Sequence, residues 1–185
     1  GKLTSEIETA IVNAKTITEV DDIYRPFRPK RKTRASVARE RGLEELALII
    51  TEQRIKYAPS IEEEAERFVS EEKEVPDSSA AIAGACDIIA EEISDNAEYR
   101  KALRSLTFDH GMLTVVKAKD EDSVYSQYYE YSEPLCKVPG HRVLAINRGE
   151  KEEYLKVSVE ISSDIVLNYL NNCVITEPSS PAYKY

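Results

Sequence analysis

The chain has 185 residues, 42% of them apolar and 32% charged, with six Gly, eight Pro and a net charge of −9. That is long enough to bury a core without disulfide or metal staples, and the composition excludes collagen-like and low-complexity classes. The charge is uneven: Tyr24 to Arg41 hold eight Lys or Arg against one Glu, a net of +7, so the other 167 residues carry −16.

In chain order, Leu3, Ile7 and Ile11 fall four apart behind Thr4 or Ser5, predicting an amphipathic helix. A short helix is expected over 19–24, capped by Thr18 with Ile17 as its staple, and Pro26 ends it. From Arg25 to Arg34 two prolines and no apolar period predict an exposed, extended basic loop. Helical character resumes at Ser36 and stops at Gly42, and Leu43, Leu46, Ala47 and Ile50 begin another face. Ser60 and Glu63 form a capping box for an acidic helix holding Ala65, Phe68 and Val69.

Pro76-Asp77 introduces the most apolar helix, about 78–94, whose small residues mark it as the central buried one. Asp95 is the expected cap of the next helix, with Tyr99, Ala102, Leu103 and Leu106 inward. After Gly111 the texture changes. Residues 112–118 favour β structure, and the Tyr-rich stretch from Tyr125 to Tyr131 reads as a short helix bounded by Pro134. His141 to Arg148 read as a helix stopped by Gly149, 154–161 alternate as a strand, and 164–171 form the last helix. The stretch from Glu177 onward carries no packing pattern. The expected fold is therefore mainly α, an irregular multi-helix array with a minor β component at about 112–118 and 154–161. A helical region 1–110 precedes a mixed α/β continuation 111–185.

Little in the chain points to catalysis. The two His are His110 and His141; Cys136 stands five residues before His141, but no second Cys or His pair completes a zinc site, and neither phosphate-loop fingerprint nor nucleophile elbow occurs. No cofactor, metal or catalytic residue is expected. Asp87 within the apolar helix is either a functional buried carboxylate or a cap or salt-bridge partner at the edge of the core. Three scattered Cys argue against a disulfide framework and for a reducing, cytoplasmic setting, and no apolar run approaches the ~20 residues of a membrane span. The start at Gly1, with no initiator Met, reads as a piece of a longer protein.

The basic loop is the strongest functional candidate. Arg25, Arg28, Lys30, Arg31, Lys32 and Arg34, with Arg39 and Arg41 behind them, can neutralise phosphates; His141, Arg142 and Arg148 form a weaker second cluster. Equally open is internal pairing of those side chains with the acidic stretch from Ser60 to Asp77.

The run Asp21-Asp-Ile-Tyr-Arg-Pro-Phe-Arg-Pro-Lys-Arg-Lys-Thr-Arg-Ala35, followed by Ala38-Arg-Glu-Arg-Gly-Leu43, resembles the Tex family of bacterial transcription accessory proteins. Ala83-Gly-Ala-Cys-Asp-Ile-Ile-Ala-Glu-Glu-Ile93, Tyr131-Ser-Glu-Pro134, Val138-Pro-Gly-His-Arg142 and Arg148-Gly-Glu-Lys151 continue the likeness in order. Family members usually carry Ser where Gly140 stands and Gly where Glu153 stands. The resemblance covers the N-terminal to central helical part. It implies a longer nucleic-acid-binding protein with an RNase H-like domain, helix–hairpin–helix elements and an RNA-binding barrel beyond this region. Two readings follow. In one, this module contacts RNA or DNA through the basic loop. In the other, it is a helical scaffold that packs against the remaining domains or docks on the transcription machinery.

Overall fold

Side-chain caps set where several helices of this chain begin, and small residues decide how closely they pack. The computed structural model describes residues 3–28, 32–57 and 59–185. They form two compact units: the described residues up to Arg100 together with 171–185, and residues 101–170.

The first unit holds α1 (Ser5–Asn13), α2 (Ile17–Tyr24), α3 (Arg34–Glu40), α4 (Glu44–Thr51), α5 (Ile61–Glu66) and α6 (Ser78–Asp95). Thr4 caps α1. α2 starts earlier than expected: Thr16, not Thr18, accepts from the Glu19 amide, while the Glu19 carboxylate accepts from the Lys15 amide. Ile17 is consequently exposed rather than a staple. The loop after α2 begins with a 3-10 turn, Arg25–Phe27, not an extended strand of chain. α3 starts at Arg34, ahead of Ser36, because Thr33 and Ser36 cap one another reciprocally at 2.8 and 3.0 Å. Gly42, at φ +80°, ends it in the left-handed conformation that only Gly adopts freely. The Ser60–Glu63 box is present, yet α5 stops at Glu66, leaving Phe68 and Val69 beyond it.

α6 is the central helix, as expected: Ala81, Ala85 and Ile88 are fully buried, and α3, α4 and α5 all pack on it. A Cβ added at Gly84 would stand 2.4 Å from Leu43 Cδ1, so this close approach requires glycine. Ala35, Ala38, Leu46, Ile50, Ile61 and Ala65 close the core around it. Asn96, not Asp95, caps α7 (Ala97–His110), accepting from the Glu98 and Tyr99 amides at 3.0 and 3.1 Å. Asp95 is the buried last residue of α6.

The stretch from Glu177 onward is packed after all. A 3-10 turn at Pro181–Lys184 buries Ala182 in this core, and Ser180 Oγ donates to the Arg54 carbonyl at 2.7 Å. Gln53 holds the approach to that turn. Its Nε2 donates to the Val174 carbonyl at 2.7 Å, and its Oε1 accepts from the Thr176 and Glu177 amides at 2.9 and 3.2 Å.

The second unit is built on an antiparallel sheet of β1 (Met112–Lys117), β2 (Glu130–Pro134) and β3 (Leu155–Glu160), in the order β2-β1-β3. Val115 stands opposite Tyr131 on one side and Val157 on the other. α8 (Gly140–Lys151) packs on β3, and Ile146 joins Leu113, Val115, Tyr125, Tyr128 and Leu155 in the core. The Tyr-rich stretch is not a helix: it makes a 3-10 turn at Ser126–Tyr128 and then enters β2, where Tyr131 pairs in the ladder. Gly149 does not stop α8. It lies inside the helix, where a Cβ would come 2.6 Å from Leu155 Cδ1 and 3.1 Å from Tyr125 Cδ1. The reversal falls instead at Glu153, at φ +60°. The last helix, α9 (Ser163–Val174), extends beyond 164–171 at both ends. The architecture is mainly α with a minor β component.

Candidate functional site

The basic segment is built on α3 and on the 3-10 turn before it, and α6 supplies most of its partners. Asp87, Glu91 and Asp95 repeat every four residues along α6, so they form one stripe. Arg25 Nε meets Asp95 Oδ1 at 2.8 Å, and Arg39 meets Glu91 Oε2 at 2.6 Å and Glu92 Oε1 at 3.5 Å. Thr33 Oγ1, the α3 cap, donates to Glu91 Oε1 at 2.9 Å, so the start and the end of α3 are held by one carboxylate. The hydrogen bond from Arg39 to Glu91 pulls the Arg39 guanidinium further up from its ordinary value. Arg28 pairs with Asp21 at 2.6 Å and stacks over the Tyr24 ring at 5.7 Å. Arg41 pairs with Glu74 at 2.8 Å, which with Lys32 holds the Glu74 carboxyl below its usual range.

Two described cations stand apart from this clasp. Lys32 is exposed, and Arg34 is 87% exposed with only a 3.4 Å approach to Asp87. Asp87 is therefore a salt-bridge partner at the edge of the core. Lys30 and Arg31 lie outside the described residues. Of the segment Ser60 to Asp77, expected as the acidic counterpart, Glu74 is the carboxylate that pairs with a described cation of the basic segment; α6 takes the larger share.

The second cluster divides similarly. Arg142 Nη1 contacts Glu133 at 2.9 Å and Tyr131 Oη at 3.3 Å, with its guanidinium 5.7 Å from the Tyr131 ring centroid. Tyr131 Oη also donates to Glu133, which with Arg142 lowers the Glu133 pKa, so Arg142 pins α8 to β2. His141 and Arg148 remain exposed, seven residues apart on α8 and so on one face. Among the described residues no group of three His, Cys, Asp or Glu is placed to hold a metal, and no helix is long and apolar enough to cross a membrane. The three cysteines are free thiols, and burial pushes the Cys86 thiol up, away from reactivity. Sequence reading missed the α6 stripe and Gln53; the four-residue spacing of the carboxylates was the available signal for the first.

Residues 57–175 match a family described as Tex central region-like. The chain belongs to the Tex family. It is 44% identical over 184 residues to the uncharacterized protein YdcI of Bacillus subtilis (strain 168), covering 97% of this chain and 25% of the relative. To the transcriptional accessory protein Tex of Neisseria gonorrhoeae it is 33% identical over 168 residues, covering 89% of this chain and 21% of that protein. A transcription elongation factor SPT6 homolog of Arabidopsis thaliana is 24% identical over 199 residues, 86% of this chain and 12% of the relative. The chain thus spans about a quarter or less of the length of these relatives.

Proposed function

We propose that this chain is a helical, non-enzymatic module of a cytoplasmic transcription accessory protein, which contacts nucleic-acid phosphates through the outer end of its basic segment. The observation that carries the reading is the division of that segment's cations. Arg25, Arg28 and Arg39 pair at 2.8 Å or less and Arg41 pairs at 2.8 Å with the highly exposed Glu74, whereas Arg34, with only a 3.4 Å approach to Asp87, and Lys32 face solvent where an external anion can reach them. The names of the relatives support a place in transcription. Labelled single-stranded RNA and duplex DNA, titrated in fluorescence anisotropy at low and physiological salt, test it. Binding should fall steeply with salt and be lost when Lys30, Arg31, Lys32 and Arg34 become Ser. Absence of binding at low salt by a folded chain refutes the reading.

The pairing of the other arginines favours a second reading, in which the module is a scaffold for the remaining domains or for the transcription machinery. A folded chain that binds no nucleic acid but retains a protein partner selects it.

A further inference from the structure

Between α3 and α6 runs an open groove of about 490 Å³. Lys32, Arg34 and Arg41 rise along its α3 side, and its floor is Ala80, Ala83 and Gly84 of α6. Asp87 is the carboxylate lining it, set 3.4 Å from Arg34. A carboxylate from elsewhere in the chain reaches one of these cations, Arg41. The turn between Ser70 and Val75, closed by two 2.9 Å backbone hydrogen bonds, carries Glu74 at φ +55° and directs it onto Arg41 at 2.8 Å. Lys32 also draws the Glu74 charge, and Lys73 Nζ lies against Gly42 beside them, 3.1 Å from where a Cβ would stand.

We infer that this groove is a seat for the phosphodiester backbone of single-stranded nucleic acid and that Glu74, paired with Arg41 at its edge, serves as an internal stand-in for a phosphate. This rests on the phosphate-contacting reading of the basic segment and assigns it a location. Glu74 is 80% exposed, and an ion pair so exposed holds weakly, so an incoming phosphate exchanges with it at little cost. Arginine forks match phosphate oxygens in two-point geometry, and a methyl-sized floor lets a sugar–phosphate chain lie close to the α6 backbone. The floor offers no deep apolar pocket to anchor a peptide side chain, which favours a phosphodiester over an acidic protein segment.

The test is anisotropy of a short single-stranded RNA with the whole chain at about 50 and 200 mM salt, using Glu74→Gln, the pair Arg34→Ser with Arg41→Ser, and the pair Lys30→Ser with Arg31→Ser. Glu74→Gln alters an exposed residue and so leaves folding intact; it should tighten binding roughly fivefold, the release of an exposed ion pair worth about 1 kcal/mol. The Arg34/Arg41 pair should weaken binding more than about tenfold and reduce the logarithmic salt slope by ~0.7 per phosphate lost. If the unaltered chain binds, but Glu74→Gln and the Arg34/Arg41 pair bind as it does while Lys30/Arg31 abolishes binding, the groove is overturned and the basic segment still contacts phosphate. If the unaltered chain binds nothing at either salt, both fall.

Discussion

Glu91 and Glu92 are adjacent glutamates on one helix, both within reach of Arg39, yet substituting them should have very different effects. Glu91 is 14% exposed, accepts from Arg39 Nη1 at 2.6 Å and also accepts from the α3 cap, Thr33 Oγ1, at 2.9 Å. Glu92 is 57% exposed and reaches Arg39 only at 3.5 Å. A hydrogen bond to a charged group contributes about 1.5–3 kcal/mol and a neutral-donor bond about 1. Because Arg39 is itself 31% exposed, solvent screening moves the charged bond toward the lower end of its range. Glu91→Ala should therefore destabilise the first unit by about 2–3 kcal/mol, and Glu92→Ala by no more than about 0.5 kcal/mol; neither changes helix propensity unfavourably. Urea unfolding followed by circular dichroism reads the difference. Amide exchange localises it, since the Val37 and Arg41 amides, each bonded within α3 at 3.0 Å, should lose protection in Glu91→Ala alone. Equal destabilisation by the two substitutions, or unchanged α3 protection in Glu91→Ala, would refute the claim that α6 clasps the basic segment.

Replacing Gln53 with Ala removes three backbone hydrogen bonds to 174–177 and should speed exchange at Thr176 and Glu177 at a cost of about 2 kcal/mol. Glu153→Gly relieves a left-handed backbone and forgoes only the exposed 3.0 Å pair with Lys119, so it should stabilise the second unit by about 0.5–1 kcal/mol, read as a higher Tm. Gly149→Ala drives a methyl into Leu155 and Tyr125 and should cost about 1–3 kcal/mol in the same melt. Lys184 and Tyr185 hydrogen-bond Glu62 and lower its pKa from the ordinary 4.5 to about 2. Its contribution is thus complete above 4.5 and lost as pH falls through about 2; a carboxyl carbon titration with its midpoint at 4.5 would contradict the contact.

Much of the fold was legible because its signals are local. Periodicity placed the central helix at 78–94 and the strands at 112–118 and 154–161, and Ser60 with Glu63 announced its own box. Caps misled where two candidates stood close together: Thr16 outcompetes Thr18, and Asn96 outcompetes Asp95, because the neighbouring backbone decides which oxygen meets the free amides. Gly149 misled for a different reason. A glycine at the end of an amphipathic run looks like a stop, but here it serves the close approach of α8 to β3, which is a fact about residues remote in sequence. The packing of Ala182 is equally non-local.

The same distinction governs the candidate site. Local sequence told which residues are basic and that prolines keep them out of a long helix, but their partners lie 52 to 70 residues away on α6 in the cases of Arg39 and Arg25. An acidic stripe on a helix is a solvated face by default, and the four-residue spacing of Asp87, Glu91 and Asp95 marks the stripe without telling that α3 will dock beside it. Once α3 docks there, an arginine's position along the segment decides its role. Those held closely by the stripe, Arg25 and Arg39, are committed to the fold, and those at the outer end, Lys32 and Arg34, the latter with only an exposed 3.4 Å approach to Asp87, keep their charge more available. Of the six described cations in this net +7 segment, four are thus held in close internal ion pairs. What it offers to an external phosphate is set by geometry rather than by its charge count.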